Sequence, residues 1–229
     1  MNEGALLRLL AWLSPAFPTG AFAYSHALEW AVEAGDIVDG NSLLLWLSDV
    51  IAHGTGRSDT ILLRLAHRAM VASRDNSACT SSGLADISEL AAATACSRER
   101  QFESLAQGRA FLLAAAPWSA APWSVPEMPE DTPYAVAVGA VAGLHRIPED
   151  ATAAAYLQTF ATNLISAAVR LVPLGQNAGL RVLAALEPVI LATAEAARDA
   201  TEDDLGGCAF RSDMASMRHE TQYTRLFRS

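Results

Sequence analysis

The stretch EDATAAAYLQTFATNLISAAVRLV, residues 149–172, has the pattern that decides the fold class. Its large apolar side chains recur at intervals of four and seven residues, which places them on one face of an α-helix; they are Tyr156, Phe160, Leu164 and Leu171. Comparable spacing runs through almost the whole chain, whereas alternating strand-like runs of any length are missing. The sequence therefore predicts an all-α protein.

The same stretch has no charged residue from Ala151 to Val169, which approaches the length of a membrane span. Five polar side chains interrupt it, which is too much polarity for lipid; they are Gln158, Thr159, Thr162, Asn163 and Ser166. We therefore expect a helix buried in protein and no membrane as a partner.

The other helices follow from apolar periodicity and from Gly, Pro and capping residues. They are predicted over residues 5–13, 22–34, 42–53 with Asn41 or Ser42 as the cap, 59–74, 84–114 with a break near Gly108, 134–145, 149–172 and 178–198 with a kink at Pro188, and a short one is predicted from about Asp203.

Two segments are predicted to lack helix. Residues 75–83 have the composition of a mobile loop, and five prolines between 117 and 133 exclude regular helix there. Trp118 and Trp123 indicate that this proline-rich loop packs against the body. The expected architecture is one helical bundle of about eight to ten helices over residues 1–210, with a proline-rich central loop and a C-terminal docking tail over residues 211–229.

Composition excludes several classes of function. The net charge of −9 and the pI of about 5.0 argue against nucleic acid or an anionic membrane as the main partner. All 16 basic residues are arginines, so that a Schiff-base lysine and a P-loop of the G-x-x-x-x-G-K-[ST] type are both excluded.

Cysteine and histidine usage predicts neither a metal site nor a cofactor. The three cysteines form no C-x-x-C pair, and the five histidines are scattered without metal-ligand spacing. Wide cysteine spacing fits a reducing compartment, and the N-terminus has neither a basic region nor an A-x-A site. These features predict a cytoplasmic protein, and the lack of a recognisable nucleophile motif predicts that it is not an enzyme.

The segment SPAFPTGAFAYSHALEWAVEAG, residues 14–35, combines a rigid Pro/Gly turn with a predicted helix. Phe22, His26 and Trp30 stand at i, i+4 and i+8, so that they would share a helical face. Two interpretations are open: an aromatic stripe that faces the core, or a partner surface that begins with a fixed loop.

The segment FATNLISAAVRLVPLGQNAGLRVL, residues 160–183, places one arginine among small apolar residues. A buried Arg170 would need acceptors, which Gln176 and Asn177 in the following turn could supply. Either Arg170 ties two helices together, or Arg170, Gln176 and Arg181 line a polar channel or an interface.

The tail differs in charge from the rest of the chain. Its four arginines against Asp213 and Glu220 give a side-chain charge of +2, so that the remaining chain carries −11. Tyr223, Leu226 and Phe227 would share one face of a short helix that forms on a partner. The alternative is that the tail folds back onto the body of its own chain.

These three segments together resemble the urease accessory protein UreF family. The resemblance rests on SPAFPTGAFAYSHALEW, LVPLGQNAGLRVL and MRHETQYTRLFRS, and it extends from about Leu6 to Ser229. The weakest part is residues 75–133. Among the departures, Ala27 stands where the family often has glycine.

The resemblance implies an all-α protein that has no known reaction of its own. Such proteins bridge UreD (also called UreH) and the nickel-carrying GTPase UreG, form homodimers in the complex and dock on apo-urease. On this basis the partner-binding residues would be Phe22, Tyr24, Ser25, Glu29, Arg218, His219, Glu220, Tyr223, Arg225, Leu226 and Phe227. The alternative function is activation or gating of UreG, with Arg225 or Arg228 supplied in trans.

Overall fold

A computed structural model describes residues 2–75, 82–118 and 128–229 of the chain. The α-helices are α1 (Glu3–Trp12), α2 (Leu28–Glu33), α3 (Gly40–His53), α4 (Thr55–Arg74), α5 (Ser82–Ala93), α6 (Arg98–Ala115), α7 (Tyr134–Leu144), α8 (Glu149–Leu171), α9 (Gln176–Ala196) and α10 (Phe210–His219). Three 3₁₀ turns lie at Ala21–Ala23, Ala116–Trp118 and Glu202–Asp204. No strand occurs in these ranges, so the all-α prediction is confirmed.

The centre of the bundle is α7, whose residues 135–143 are all buried. It packs closely on α4 because glycine faces the α4 backbone: a Cβ added at Gly139 would lie 2.1 Å from the carbonyl oxygen of Leu63. One turn later, a Cβ at Gly143 would lie 2.6 Å from the carbonyl oxygen of His67. Side chains at these two positions would force the helices apart.

Helix α8 is buried as expected for an uncharged helix. From 151 to 169 only Gln158 and Ser166 are exposed. Helix α9 packs against α8 and α3 on one side and exposes Leu180 and Leu191 on the other. By length and composition α9 could cross a membrane, a test that core helices of soluble proteins also pass.

Local capping explains where several helices begin. The side chain of Asp39 accepts from the backbone N–H of Ser42 at the start of α3, and Ser97 caps α6 in the same way. The prediction that Asn41 or Ser42 caps α3 was therefore wrong, since the N-cap is Asp39 and Ser42 is the third residue of the helix. Helix α4 begins at Thr55, before the predicted residue 59.

The helix predicted over residues 84–114 differs from the structure. The break in 84–114 lies between α5 and α6, whereas Gly108 is inside α6, where a Cβ would meet the carbonyl oxygen of Thr132 at 1.9 Å. This glycine therefore permits a close backbone contact and does not end a helix. Helix α9 contains Pro188, and the kink predicted there stays a prediction.

The predicted loops fall largely outside the described residues. Of the 75–83 segment, residues 76–81 are not described, and of the proline-rich loop, residues 119–127 are not described, which includes Trp123. Trp118 does contact the body: its ring centroid lies 6.0 Å from that of Trp12 and 6.1 Å from that of Phe17.

Candidate partner-binding surface formed with the tail

The tail, residues 211–229, packs against the body of its own chain. Helix α10 lies on α2 and α6, and the residues after it continue without helix to Ser25. There the backbone N–H of Ser25 donates to the carbonyl oxygen of Ser229 at 2.7 Å, and the Ser25 hydroxyl donates to the same oxygen at 2.5 Å. The N–H of Arg228 donates to the carbonyl oxygen of Ala23 at 2.9 Å. Of the two interpretations of the tail, the structure adopts the fold-back.

Glu29 on α2 receives the tail backbone. Its Oε1 accepts the N–H of Leu226 at 2.7 Å, and its Oε2 accepts the N–H of Phe227 at 3.0 Å. Glu29 is only 8% exposed. Because hydrogen bonds to a charged acceptor are the stronger ones, this carboxylate determines where the tail backbone lies.

His219, the last residue of α10, lies between two carboxylates. Its Nδ1 is 2.6 Å from Glu99 Oε2, and its Nε2 is 3.4 Å from Glu29 Oε2. Glu99 also accepts from Nη1 of Arg225 at 2.5 Å. His219 has no exposed surface, so that α2, α6 and the tail meet around a buried imidazole.

Arg170 is held between two aromatic rings. Its guanidinium carbon lies 4.1 Å from the ring centroid of Phe22 and 4.4 Å from that of Phe227. Nη2 donates to the carbonyl oxygen of Phe22 at 3.1 Å. The prediction of a buried arginine satisfied by Gln176 and Asn177 was wrong: Arg170 is exposed, and the 21–23 turn and Phe227 supply its partners.

A groove of about 300 Å³ lies beside this stack, and both Arg170 and Gln176 line it. Phe22 and Leu180 form part of its apolar wall. Arg181 is exposed on α9 and is not among the lining residues. The role of these three residues in a channel or interface stays a prediction.

Comparison with known proteins agrees with the resemblance. The model of the UreF family matches residues 37–187. Proteins named urease accessory protein UreF are 50% identical in Rhodopseudomonas palustris (strain BisB18) and 51% identical in Bradyrhizobium diazoefficiens, each over 100% of this chain and 93% of the relative. The protein of that name in Methylorubrum populi is 50% identical over 97% of this chain and 98% of its own length. The chain belongs to the UreF family.

The residues that the UreF resemblance implied fall into two groups in the structure. The exposed group consists of Phe22, Arg218, Glu220, Tyr223, Arg225 and Leu226. The buried group consists of Tyr24, Ser25, Glu29, His219 and Phe227. Of these, Ser25 and Glu29 bond directly to the tail. The expected helical face of Tyr223, Leu226 and Phe227 was wrong, because these residues follow α10 without helix and Phe227 points inward.

The predicted stripe of Phe22, His26 and Trp30 was also wrong. His26 and Ala27 have φ angles of 57° and 62°, which interrupt the predicted 22–34 helix and leave a 3₁₀ turn followed by α2. As a result Phe22 is exposed whereas His26 is buried. The left-handed backbone at Ala27 is a conformation that glycine adopts more readily than alanine.

Sequence reasoning missed two features of the surface in this UreF-family chain. Glu99 on α6 had no motif to mark it. Helix α10 turns Phe210, Met214 and Met217 to solvent at i, i+4 and i+7, while Ser212 and Ser216 face the body. The hydroxyl of Ser216 bonds with that of Ser97 at 2.6 Å, which explains the inward polar face.

Behind the tail lies a cluster of polar side chains. The Ser229 hydroxyl donates to Glu103, which pairs with Arg100, and Arg100 and Asp59 both line a pocket of about 130 Å³. The hydroxyl of Tyr156 donates to Asp59 Oδ2 at 2.7 Å. Burial raises the pKa of Asp59 from 3.8 to about 6, although the Tyr156 hydroxyl and Arg100 oppose the rise.

Asp59→Asn is expected to stabilise the protein at pH 8 and to change little at pH 4. Because the pKa is raised on folding, the folded state binds more protons than the unfolded state between pH 3.8 and about 6, so that stability falls as pH rises through this window. A shift of this size corresponds to about 3 kcal/mol without screening, and solvent in the adjoining pocket reduces the expected gain to about 1–2 kcal/mol. Urea unfolding from pH 4 to pH 8 measures it, with the exposed Asp49→Asn as control. Equal stability of D59N and the unmutated chain at pH 8 would contradict the prediction.

Among the described residues, no three His, Cys, Asp or Glu side chains are grouped so that they could hold a metal ion. The surface exposes aromatic, apolar and arginine side chains, and aromatic residues and arginine are enriched in protein interfaces.

Proposed function

We propose that this chain is a non-catalytic adaptor in urease maturation. It bridges UreD (UreH) and the GTPase UreG in the cytoplasm, acts there as a homodimer, and supports nickel insertion into apo-urease. The proposal starts from the name that its close relatives carry, urease accessory protein.

The single observation that carries the proposal is an exposed apolar and aromatic surface on a rigid backbone. Phe22, Tyr223 and Leu226 are exposed, yet their segments are held by hydrogen bonds that Ala23, Glu29 and Glu99 accept. Large apolar groups at fixed exposed positions are typical of binding sites. Because these groups are already ordered, binding a partner costs them little conformational entropy.

Charge supports the same role. The tail carries +2 on a body of −11, so that this face differs in sign from its surroundings. Arg218, Arg225 and Arg228 are exposed around the aromatic residues. Such an arrangement favours an acidic face on the partner and improves its orientation during encounter.

Substitution of the exposed residues is expected to weaken partner capture without unfolding the chain. Leu226→Ala and Phe22→Ala remove side chains that are 79% and 75% exposed, so that the fold loses little. We expect each to lower the affinity for a UreD–UreG mixture at least about tenfold, the loss typical of an interface hot spot. The measurement is a quantitative pull-down with separate detection of UreD and UreG, with circular dichroism to check helix content.

Leu45→Ala is the matched control, since Leu45 is 69% exposed but lies on α3 beside another groove. The adaptor proposal fails at this surface if L226A and F22A bind both partners as tightly as L45A does.

Arg228 favours a second candidate function, activation of GTP hydrolysis by UreG. Its backbone N–H is fixed on Ala23, and within the described part of the chain its side chain makes no salt bridge, whereas Arg225 is paired with Glu99. An activator would lose hydrolysis in Arg228→Ala while binding persists. If the chain is an adaptor only, Arg228→Ala leaves the hydrolysis rate of bound UreG unchanged.

A further inference from the structure

The contacts of His219 differ from those of an ordinary buried histidine. Both ring nitrogens face carboxylate oxygens, at 2.6 Å on Glu99 and 3.4 Å on Glu29. An ionised carboxylate only accepts hydrogen bonds, and a neutral imidazole has a single N–H. Both contacts are therefore satisfied only by the imidazolium form.

The two carboxylates that face the ring are also the ones that hold the tail. Glu29 accepts the N–H groups of Leu226 and Phe227, and Glu99 accepts from Arg225. With His219 protonated, two negative and two positive charges balance in this cluster. With His219 neutral, one lone pair of the fully buried ring faces a carboxylate oxygen, and the cluster carries −1.

Other charged groups around the ring are already paired. On α2, Glu33 accepts from the side chain of Gln222 at 2.5 Å. On α6, Arg100 pairs with Glu103, and the backbone N–H of Arg98 donates to Glu220 of the tail at 2.9 Å. No further cation among the described residues makes a salt bridge to Glu29 or Glu99, so that loss of the imidazolium charge has no substitute there.

We propose that Glu29, His219 and Glu99 form a proton-dependent latch that holds residues 220–229 against the body and releases them when His219 loses its proton. The released element is the tail because it has the fewest core contacts of the three: of residues 220–229 only Phe227 belongs to the core, whereas α2 and α6 each place at least two buried apolar residues there. Closing the latch takes up a proton, so that closure is favoured as pH falls. The latch concerns the isolated chain; its consequence, that proton binding controls how much docking surface is formed, rests on the proposed function.

Hydrogen exchange of the isolated chain tests the latch without any partner. Protection factors of the Leu226, Phe227 and Arg228 amides, corrected for intrinsic exchange, are compared from pH 5 to pH 8, the range in which histidine ordinarily changes charge. We expect protection to rise by up to about tenfold per pH unit on acidification within the titration range. His219→Gln is expected to abolish this dependence, while the exposed His53→Gln keeps it.

Protection that does not change with pH in the unmutated chain, or a dependence that persists in H219Q, would overturn the latch. If H219Q does not fold, ¹⁵N NMR of the histidine rings in the unmutated chain decides: a neutral His219 ring while the tail amides are protected overturns the proposal. The partner pull-down is independent, since L226A and F22A leave His219 and both carboxylates in place. A failed latch with a positive pull-down therefore leaves the docking surface intact.

Discussion

Glu29→Gln is expected to detach the tail and to abolish partner capture. Glutamine has nearly the same shape, but its amide nitrogen is a donor, so that it cannot accept from both Leu226 and Phe227 as Glu29 does. Removing one charge from a buried charged network costs about 3–5 kcal/mol. The expected result is at least about a hundredfold loss of exchange protection at residues 226–228, since each factor of ten corresponds to 1.36 kcal/mol. Partner binding is expected to fall with it.

Glu33→Gln is the matched control, because Glu33 lies one turn further on α2 and is exposed. Among the described residues its carboxylate accepts only from the side chain of Gln222. We expect E33Q to keep both tail protection and partner binding. Full protection of the tail amides in E29Q would show that Ser25, Ala23 and Arg170 hold the tail without the carboxylate.

Of the substitutions predicted here, Gly139→Ala is expected to cause the largest loss in the free energy of unfolding. The added methyl group would lie 2.1 Å from the carbonyl oxygen of Leu63, and the obstacle is helix backbone and not a flexible side chain. Helices α4 and α7 would have to separate at the centre of the bundle, and overpacking of this kind costs about 1–3 kcal/mol and sometimes more. We expect about 3 kcal/mol, measured by urea unfolding, or failure to accumulate as folded protein.

Gly40→Ala separates this steric effect from a general response to glycine replacement. Gly40 is the first residue of α3, and an added Cβ there would make an ordinary 3.6 Å contact with Val182. We expect G40A to be neutral or slightly stabilising. If G139A and G40A unfold at the same urea concentration, the close approach of α4 and α7 does not limit stability.

The all-α fold class and most helix positions could be predicted because they depend on the local spacing of apolar residues. The helices from 134, 149 and 178 agree with α7, α8 and α9 to within two residues at each end. The predicted 22–34 helix was wrong for a reason that spacing does not contain. Leu28 to Glu33 have helical periodicity, but His26 and Ala27 adopt left-handed backbone, and the preceding Ser25 bonds to Ser229, 204 residues away in sequence.

The exposed and buried positions of the tail had no such local signal. Tyr223, Leu226 and Phe227 have the spacing of a helical face. In the structure, however, Glu29 accepts the backbone N–H groups of Leu226 and Phe227, and the Phe227 ring packs on Arg170. Likewise, Glu99 became part of the surface only because α6 passes beside α10.

By itself the sequence determined that the chain is all-α, that it belongs to the UreF family and that its tail is basic and aromatic on an acidic body. These properties follow from composition, helical period and motif. Only the tertiary structure decided that the tail lies on its own body, which of its residues face outward, and that a histidine joins two carboxylates beneath it. The physical reason is that these features depend on hydrogen bonds between residues that are far apart in sequence. Glu99 and His219 are separated by 120 positions, and Glu29 and Leu226 by 197. No local pattern records which distant acceptor a segment will meet.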